Sequence, residues 1–138
     1  MKNLKVLLIA IPIVIIFSLF VSNYENEPEI EAFYKLGLSG IKEQYFVGEE
    51  LSFSLFLNGY GSECGSYGVK VKKDGKSIEG RSIEIECTKE ISHDFEFINI
   101  DIIDYALILT ESGAYTVTGE FSNNRGENLQ DKKTLMVT

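Results

Sequence analysis

The chain has 138 residues, 13 Lys plus Arg against 21 Asp plus Glu, one His, two Cys, no Trp, and a formal net charge of −8. That length fits one ordinary domain. The acidic excess is repelled by phosphate backbones and anionic headgroups, which argues against nucleic-acid binding, and one His with two Cys cannot complete a four-ligand structural zinc site without carboxylates.

Lys2 and Lys5 precede an apolar-rich run from Val6 to Val21, and the uncharged stretch continues to Tyr24. Nineteen residues from Val6 to Tyr24, at about 1.5 Å each, span about 28 Å, close to the hydrocarbon thickness of a bilayer. Residues 1–24 therefore read as a signal-anchor helix that meets the membrane through residues 6–24. The alternative is a cleaved secretory signal, although Phe20 and Ser22 fit a small-residue cleavage site poorly. Lys2 and Lys5 lie on one side of the run and Glu25, Glu27, Glu29 and Glu31 on the other. The amino terminus is expected in the cytoplasm and the carboxy-terminal body outside.

Residues 25–34 read as an acidic linker around Pro28, with little to bury. From residue 35 to 138 the apolar residues recur at every second position, the period of a strand with one buried face. Leu36, Leu38 and Ile41 form the first set, and Leu51, Phe53, Leu55 and Leu57 the cleanest. Val69 and Val71 alternate with lysines before Asp74-Gly75, a dipeptide that predicts a two-residue hairpin turn. Ile83, Ile85 and Cys87 form the next set, followed by Phe95 with Phe97. Asp101 to Tyr105 is the one candidate for a short helical turn. Tyr115, Val117 and Phe121 come next, and Leu135 with Val137 end the chain. About seven short strands in one domain predict an all-β fold, an antiparallel two-sheet sandwich.

Two segments resemble immunoglobulin-like domains. Glu111, Ser112, Gly113, Ala114 and Tyr115 are similar to the acid, any, small, any, tyrosine turn that enters the penultimate strand of that family. Tyr45 to Phe53 resembles the turn into the second strand of such modules on microbial surface proteins. The resemblance covers residues 35–138 and implies an immunoglobulin-like sandwich in which Tyr115 is a structural tyrosine corner, bonding back to upstream backbone. Val117 stands where antibody-type domains carry their second cysteine, and there is no Trp. The likeness is therefore to cysteine-poor sandwich modules of prokaryotic exported or membrane-anchored proteins, which serve adhesion, assembly or positioning.

Cys64 and Cys87, an even pair in an exported body, read as one disulfide. It would pin the Gly-rich segment Asn58 to Gly68, read as a loop whose Tyr60 and Tyr67 are the candidate contact residues. A structural role for either tyrosine, closing the end of the sandwich, stands beside that reading.

No cofactor is expected. A copper site of Cys87, His93 and Met136 lacks a second histidine. Ser92, His93 and Asp94 are consecutive on an apparent strand, so their side chains alternate between faces and cannot converge as a triad. The pairs Glu49 with Glu50 and Asp101 with Asp104 lack the spacing of a dedicated calcium loop, and only weak calcium binding would suit them. The Gly-rich segment has no following lysine or helix for phosphate, and no Asn-x-Ser/Thr site occurs.

The sequence thus points to a membrane-tethered extracytoplasmic module, without catalytic residues, for noncovalent recognition or structural support among envelope or surface proteins. The alternative is a secreted protease or hydrolase inhibitor, or an enzyme accessory subunit, presenting the Asn58 to Gly68 segment.

Overall fold

The structure is a computed structural model, and it describes residues 33–87 and 96–138. The expected anchor at 1–24 and Ser92, His93, Asp94 and Phe95 lie outside the described residues.

Eight strands form among the described residues, in the order β1 (Phe33–Ser39), β2 (Gln44–Tyr45), β3 (Glu50–Gly61), β4 (Gly65–Lys73), β5 (Lys76–Ile85), β6 (Glu96–Ile108), β7 (Gly113–Ser122) and β8 (Asn128–Val137). They build two sheets, β1-β3-β6 and β2-β8-β7-β4-β5. All pairings are antiparallel except the short β2–β8 pair, which is parallel. β1 already begins at Phe33, so the last two residues of the expected linker are strand.

The period-two pattern gives each sheet one apolar face, and the two faces form a common core. Leu51, Leu55 and Leu57 from β3 are fully buried with Val69, Val71 and Val117 from the other sheet. Each such side chain contributes about 1.5–3 kcal/mol by leaving water. Gly119 lies at the centre of this contact, where an added Cβ would come within 2.3 Å of Leu55 Cδ1. A side chain there would force the sheets apart.

Asp131, Gly119, Val69 and Arg81 form one cross-strand row over β8, β7, β4 and β5. The two ends of that row reach across to the opposite sheet. Asp131 Oδ2 accepts the Leu38 amide of β1 at 2.9 Å, and Arg81 Nη1 donates to the Asp104 carbonyl of β6 at 3.4 Å. Both edge strands of the three-stranded sheet thereby receive a charged side chain where another chain's backbone would otherwise pair.

The Asp74-Gly75 turn forms between β4 and β5 with positive φ at both residues, 47° and 81°. This is the backbone twist that a two-residue hairpin requires.

Three expectations change. Asp101 to Tyr105 is strand, not a helical turn. The β3–β6 register slips between Leu55 and Phe56, which pair with Ile103 and Asp101, leaving Ile102 as the extra residue. This bulge interrupts the alternation in sequence while Ile98 and Ile103 both stay buried. Phe97 does not face the core; it is 71% exposed because its neighbour Ile98 takes the inward position. Cys87 lies beyond β5, which ends at Ile85.

Candidate binding face

The segment Asn58 to Gly68 is mostly strand. β3 extends to Gly61 and β4 starts at Gly65, so only residues 62–64 connect them. Gly59 and Gly61 permit the extension. A Cβ at Gly59 would meet the Phe33 carbonyl at 2.0 Å, and one at Gly61 would meet the Tyr34 ring at 2.3 Å.

The short connection is held from three directions. Tyr34 Oη donates to the Ser62 carbonyl at 2.8 Å and accepts the Ser62 amide at 2.6 Å. Tyr67 Oη donates to the Glu63 carbonyl. Cys64 is bonded to Cys87, with Cα atoms 5.0 Å apart. Since Gly65 pairs with Ile85, this disulfide closes the open end of the hairpin whose other end is the Asp74-Gly75 turn. Cys87 is therefore not a free thiolate for a metal.

These contacts separate the two candidate tyrosines. Tyr67 is 1% exposed, its ring 4.8 Å from Phe121, which in turn meets Tyr34 edge-on at 5.7 Å. It belongs to the core and does not offer a contact surface, because alternation along β4 turns it inward with Val69 and Val71. Burial raises the phenol pKa of both Tyr67 and Tyr34; the Glu63 carboxylate adds to it at Tyr67, and the Ser62 hydrogen bond opposes it at Tyr34. Tyr60 faces outward and is 39% exposed.

Tyr60 is the middle member of a row. Phe33 of β1 pairs with Tyr60 of β3, which pairs with Phe97 of β6. Directly opposed residues share one face with Cβ atoms about 5 Å apart, so three aromatic side chains stand side by side on the outer surface of the three-stranded sheet. Phe33 is 76% and Phe97 71% exposed. The next outward row is Lys35, Asn58 and Asn99, and Asn58 Nδ2 donates to Asn99 Oδ1 at 3.3 Å. Beyond it the Phe56 ring lies over Gly37, where a Cβ would approach within 2.3 Å of the ring. The face therefore offers apolar rings beside amides, an arrangement suited to noncovalent contact. Phe33 and Phe97 were invisible as partners in sequence, since only the strand register aligns them with Tyr60.

Tyr115 lies at the start of β7, buried, and its Oη donates to the Glu111 carbonyl at 2.9 Å. Next to it Lys73 Nζ bridges Glu111 Oε2 at 2.5 Å, and this hydrogen bond raises the Lys73 pKa. Glu49 caps the turn before β3, its Oε2 accepting the Phe46 amide at 2.7 Å, while Asp104 Oδ1 accepts from Ser54 Oγ at 2.5 Å. Among the described residues no three His, Cys, Asp or Glu side chains converge on a metal position.

No protein-family model and no curated protein sequence matches the chain. Solved structures resemble it at low identity. A superoxide reductase (neelaredoxin) from Ignicoccus hospitalis is 11% identical with a TM-score of 0.47, over 83% of this chain and 87% of that one. A β-glucosidase from Listeria innocua is 12% identical with a TM-score of 0.47 over 77% of this chain. An engineered protein is 12% identical with a TM-score of 0.45 over 78% of it. The chain spans 16% of that β-glucosidase and 20% of that engineered protein.

Proposed function

We propose that the chain is a membrane-tethered, extracytoplasmic immunoglobulin-like module that acts by noncovalent recognition or structural support and not by catalysis. The strand order supports the immunoglobulin-like assignment: β1-β3-β6 corresponds to strands A, B and E, and β8-β7-β4-β5 to G, F, C and C′, with Tyr115 at the corner that enters F. The Cys64–Cys87 bond suits an oxidising compartment outside the cytoplasm. The apolar run from Val6 to Val21 after Lys2 and Lys5 suits an anchor that leaves the sandwich outside.

The observation that carries the reading is the exposed row Phe33, Tyr60 and Phe97. Aromatics lose little conformational entropy on contact and bring large area, and the adjoining disulfide and tyrosine bonds hold their strands in place before any partner arrives.

Two measurements on the full chain test the proposal. Intact mass from membranes, with and without reductant, should show a retained amino terminus and a two-proton gain on reduction. A photo-crosslinking residue at position 97 should give discrete adducts in intact cells that disappear with Phe33→Ser, while one at position 132, on the other sheet, should not. Recovery from the soluble cytosol with both thiols reduced, or equal crosslinking from both positions, overturns it.

A further inference from the structure

We propose that β5 is a self-association edge, through which two copies of the chain join their five-stranded sheets across a two-fold axis at Gly80. This goes beyond the recognition face, which lies on the other sheet.

β5 ends the five-stranded sheet, and all its residues except Ile83 and Ile85 are exposed. It is ten residues long, contains no Pro, and among the described residues no strand pairs with its outer side. The edge strands β1 and β6 each receive a side chain from the opposite sheet, as described above. At β5 the described contact from the opposite sheet, Tyr105 against Glu79, falls on a side chain and not on the backbone, so its outward amides and carbonyls are open to strand addition.

The charge order along β5 selects the occupant. When an antiparallel copy is laid against it with Gly80 opposite Gly80, Glu79 falls opposite Arg81 of the second copy, whereas Lys76 lies beyond the extra residue Ile78 and drops out of that count. This pair occurs twice by symmetry, as an isologous interface requires. Sliding by one same-face step in either direction places Glu79 opposite its own copy, or Arg81 opposite its own copy. Like charges directly opposed across strands destabilise pairing, so these slipped registers are penalised. The small residues Ser77, Gly80 and Ser82 leave room at the junction. The register with β4 slips between Val71 and Lys72, so the stretch Glu79–Ile85 that carries the axis is continuous with its own sheet. The single Arg81 hydrogen bond to Asp104 leaves other guanidinium donors for Glu79 of the partner.

Sedimentation of the full chain in detergent micelles, over a range of protein concentrations and at low and high salt, tests the proposal. A dimer that weakens with salt is expected. Glu79→Lys or Arg81→Glu alone should weaken it about tenfold or more, since each change turns two symmetric cross-strand pairs repulsive. Combining Glu79→Lys with Arg81→Glu in one chain should restore it, and the two single variants mixed should form a heterodimer. Glu79 and Arg81 are both exposed, and restoration by the exchange, read beside the thermal midpoint of each variant, separates a lost contact from a fold that a single change loosens. A monomer throughout, or a dimer indifferent to these charges because another surface or the apolar run drives it, overturns the proposal.

Discussion

Tyr67 and Tyr115 occupy equivalent places in two copies of one corner: each hydroxyl donates to the carbonyl of the glutamate four residues upstream, Glu63 and Glu111. Both copies read Glu-x-Gly-x-Tyr, Glu63 to Tyr67 and Glu111 to Tyr115. The central glycines Gly65 and Gly113 hold φ of 149° and 146°, a region that disfavours side chains. Because β4 and β7 are antiparallel neighbours, the copies secure opposite ends of the same sheet. Only the second was recognised from sequence, although the first carries the same spacing.

Each corner should therefore contribute similarly. Tyr67→Phe and Tyr115→Phe each remove a donor and leave a carbonyl with one bond fewer, so each is expected to lower stability by about 1 kcal/mol. Urea denaturation followed by tyrosine fluorescence reads this as a lower midpoint. A change at one corner alone would show that the two are not equivalent.

Alkaline pH should loosen the sandwich. Burial raises Tyr67, Tyr34 and Tyr105, the last to about 12; the Tyr105 hydroxyl faces Glu79 without a well-formed hydrogen bond. A raised pKa means that the native state keeps its proton where the unfolded chain has lost it. The stabilisation is fully present below the unfolded value near 10 and is lost as pH climbs toward the folded values, with a slope of up to about 1.4 kcal/mol per pH unit for each tyrosine. Stability should be insensitive to these phenols below pH ~9, and Tyr67→Phe should flatten the decline above it.

Gly119→Ala is expected to cost about 1–3 kcal/mol by overpacking. Its Cβ would lie 2.3 Å from Leu55 Cδ1 and 3.3 Å from Leu38 Cδ2, inside the core where neither leucine can move into solvent. A thermal midpoint equal to the unaltered chain would show that the sheets can separate freely.

Replacing both Cys64 and Cys87 by Ser releases a loop closed over a sequence separation of 23 and should cost about 3 kcal/mol in the loop-entropy account. The β4–β5 hairpin retains its Asp74-Gly75 turn, so amide exchange should rise chiefly at its disulfide end. Uniform loosening along the hairpin would contradict this.

Asp131→Ala removes the acceptor for the Leu38 amide and should cost about 1–3 kcal/mol, as for a bond to a charged group. It also opens the β1 edge to other chains. Light scattering should detect faster aggregation than for an exposed control such as Lys132→Ala.

Much of the architecture was legible in sequence because it depends on local rules. Alternation placed Leu51, Phe53, Leu55 and Leu57 on one face, Asp74-Gly75 marked its turn, and the two cysteines form the expected bond. Where locality fails, so did the reading. The bulge at Ile102 interrupted the alternation in the middle of β6, and Phe97, grouped with Phe95 by period two, points outward because Ile98 takes the inward place. Tyr60 and Tyr67 looked alike in a Gly-rich stretch; the approach of β1 over Gly59 and Gly61 made its first part strand, and alternation along β3 and β4 turned Tyr60 outward and Tyr67 inward.

The sequence alone determined that this chain forms pleated strands with one greasy side, since period-two burial is a property of neighbouring residues. Tertiary structure alone decided which distant residues share a surface: Phe33, Tyr60 and Phe97 in one row, Asp131 and Arg81 at the ends of another. The reason is that strand register is set by how two sheets pack together, a balance over the whole core that no short segment contains.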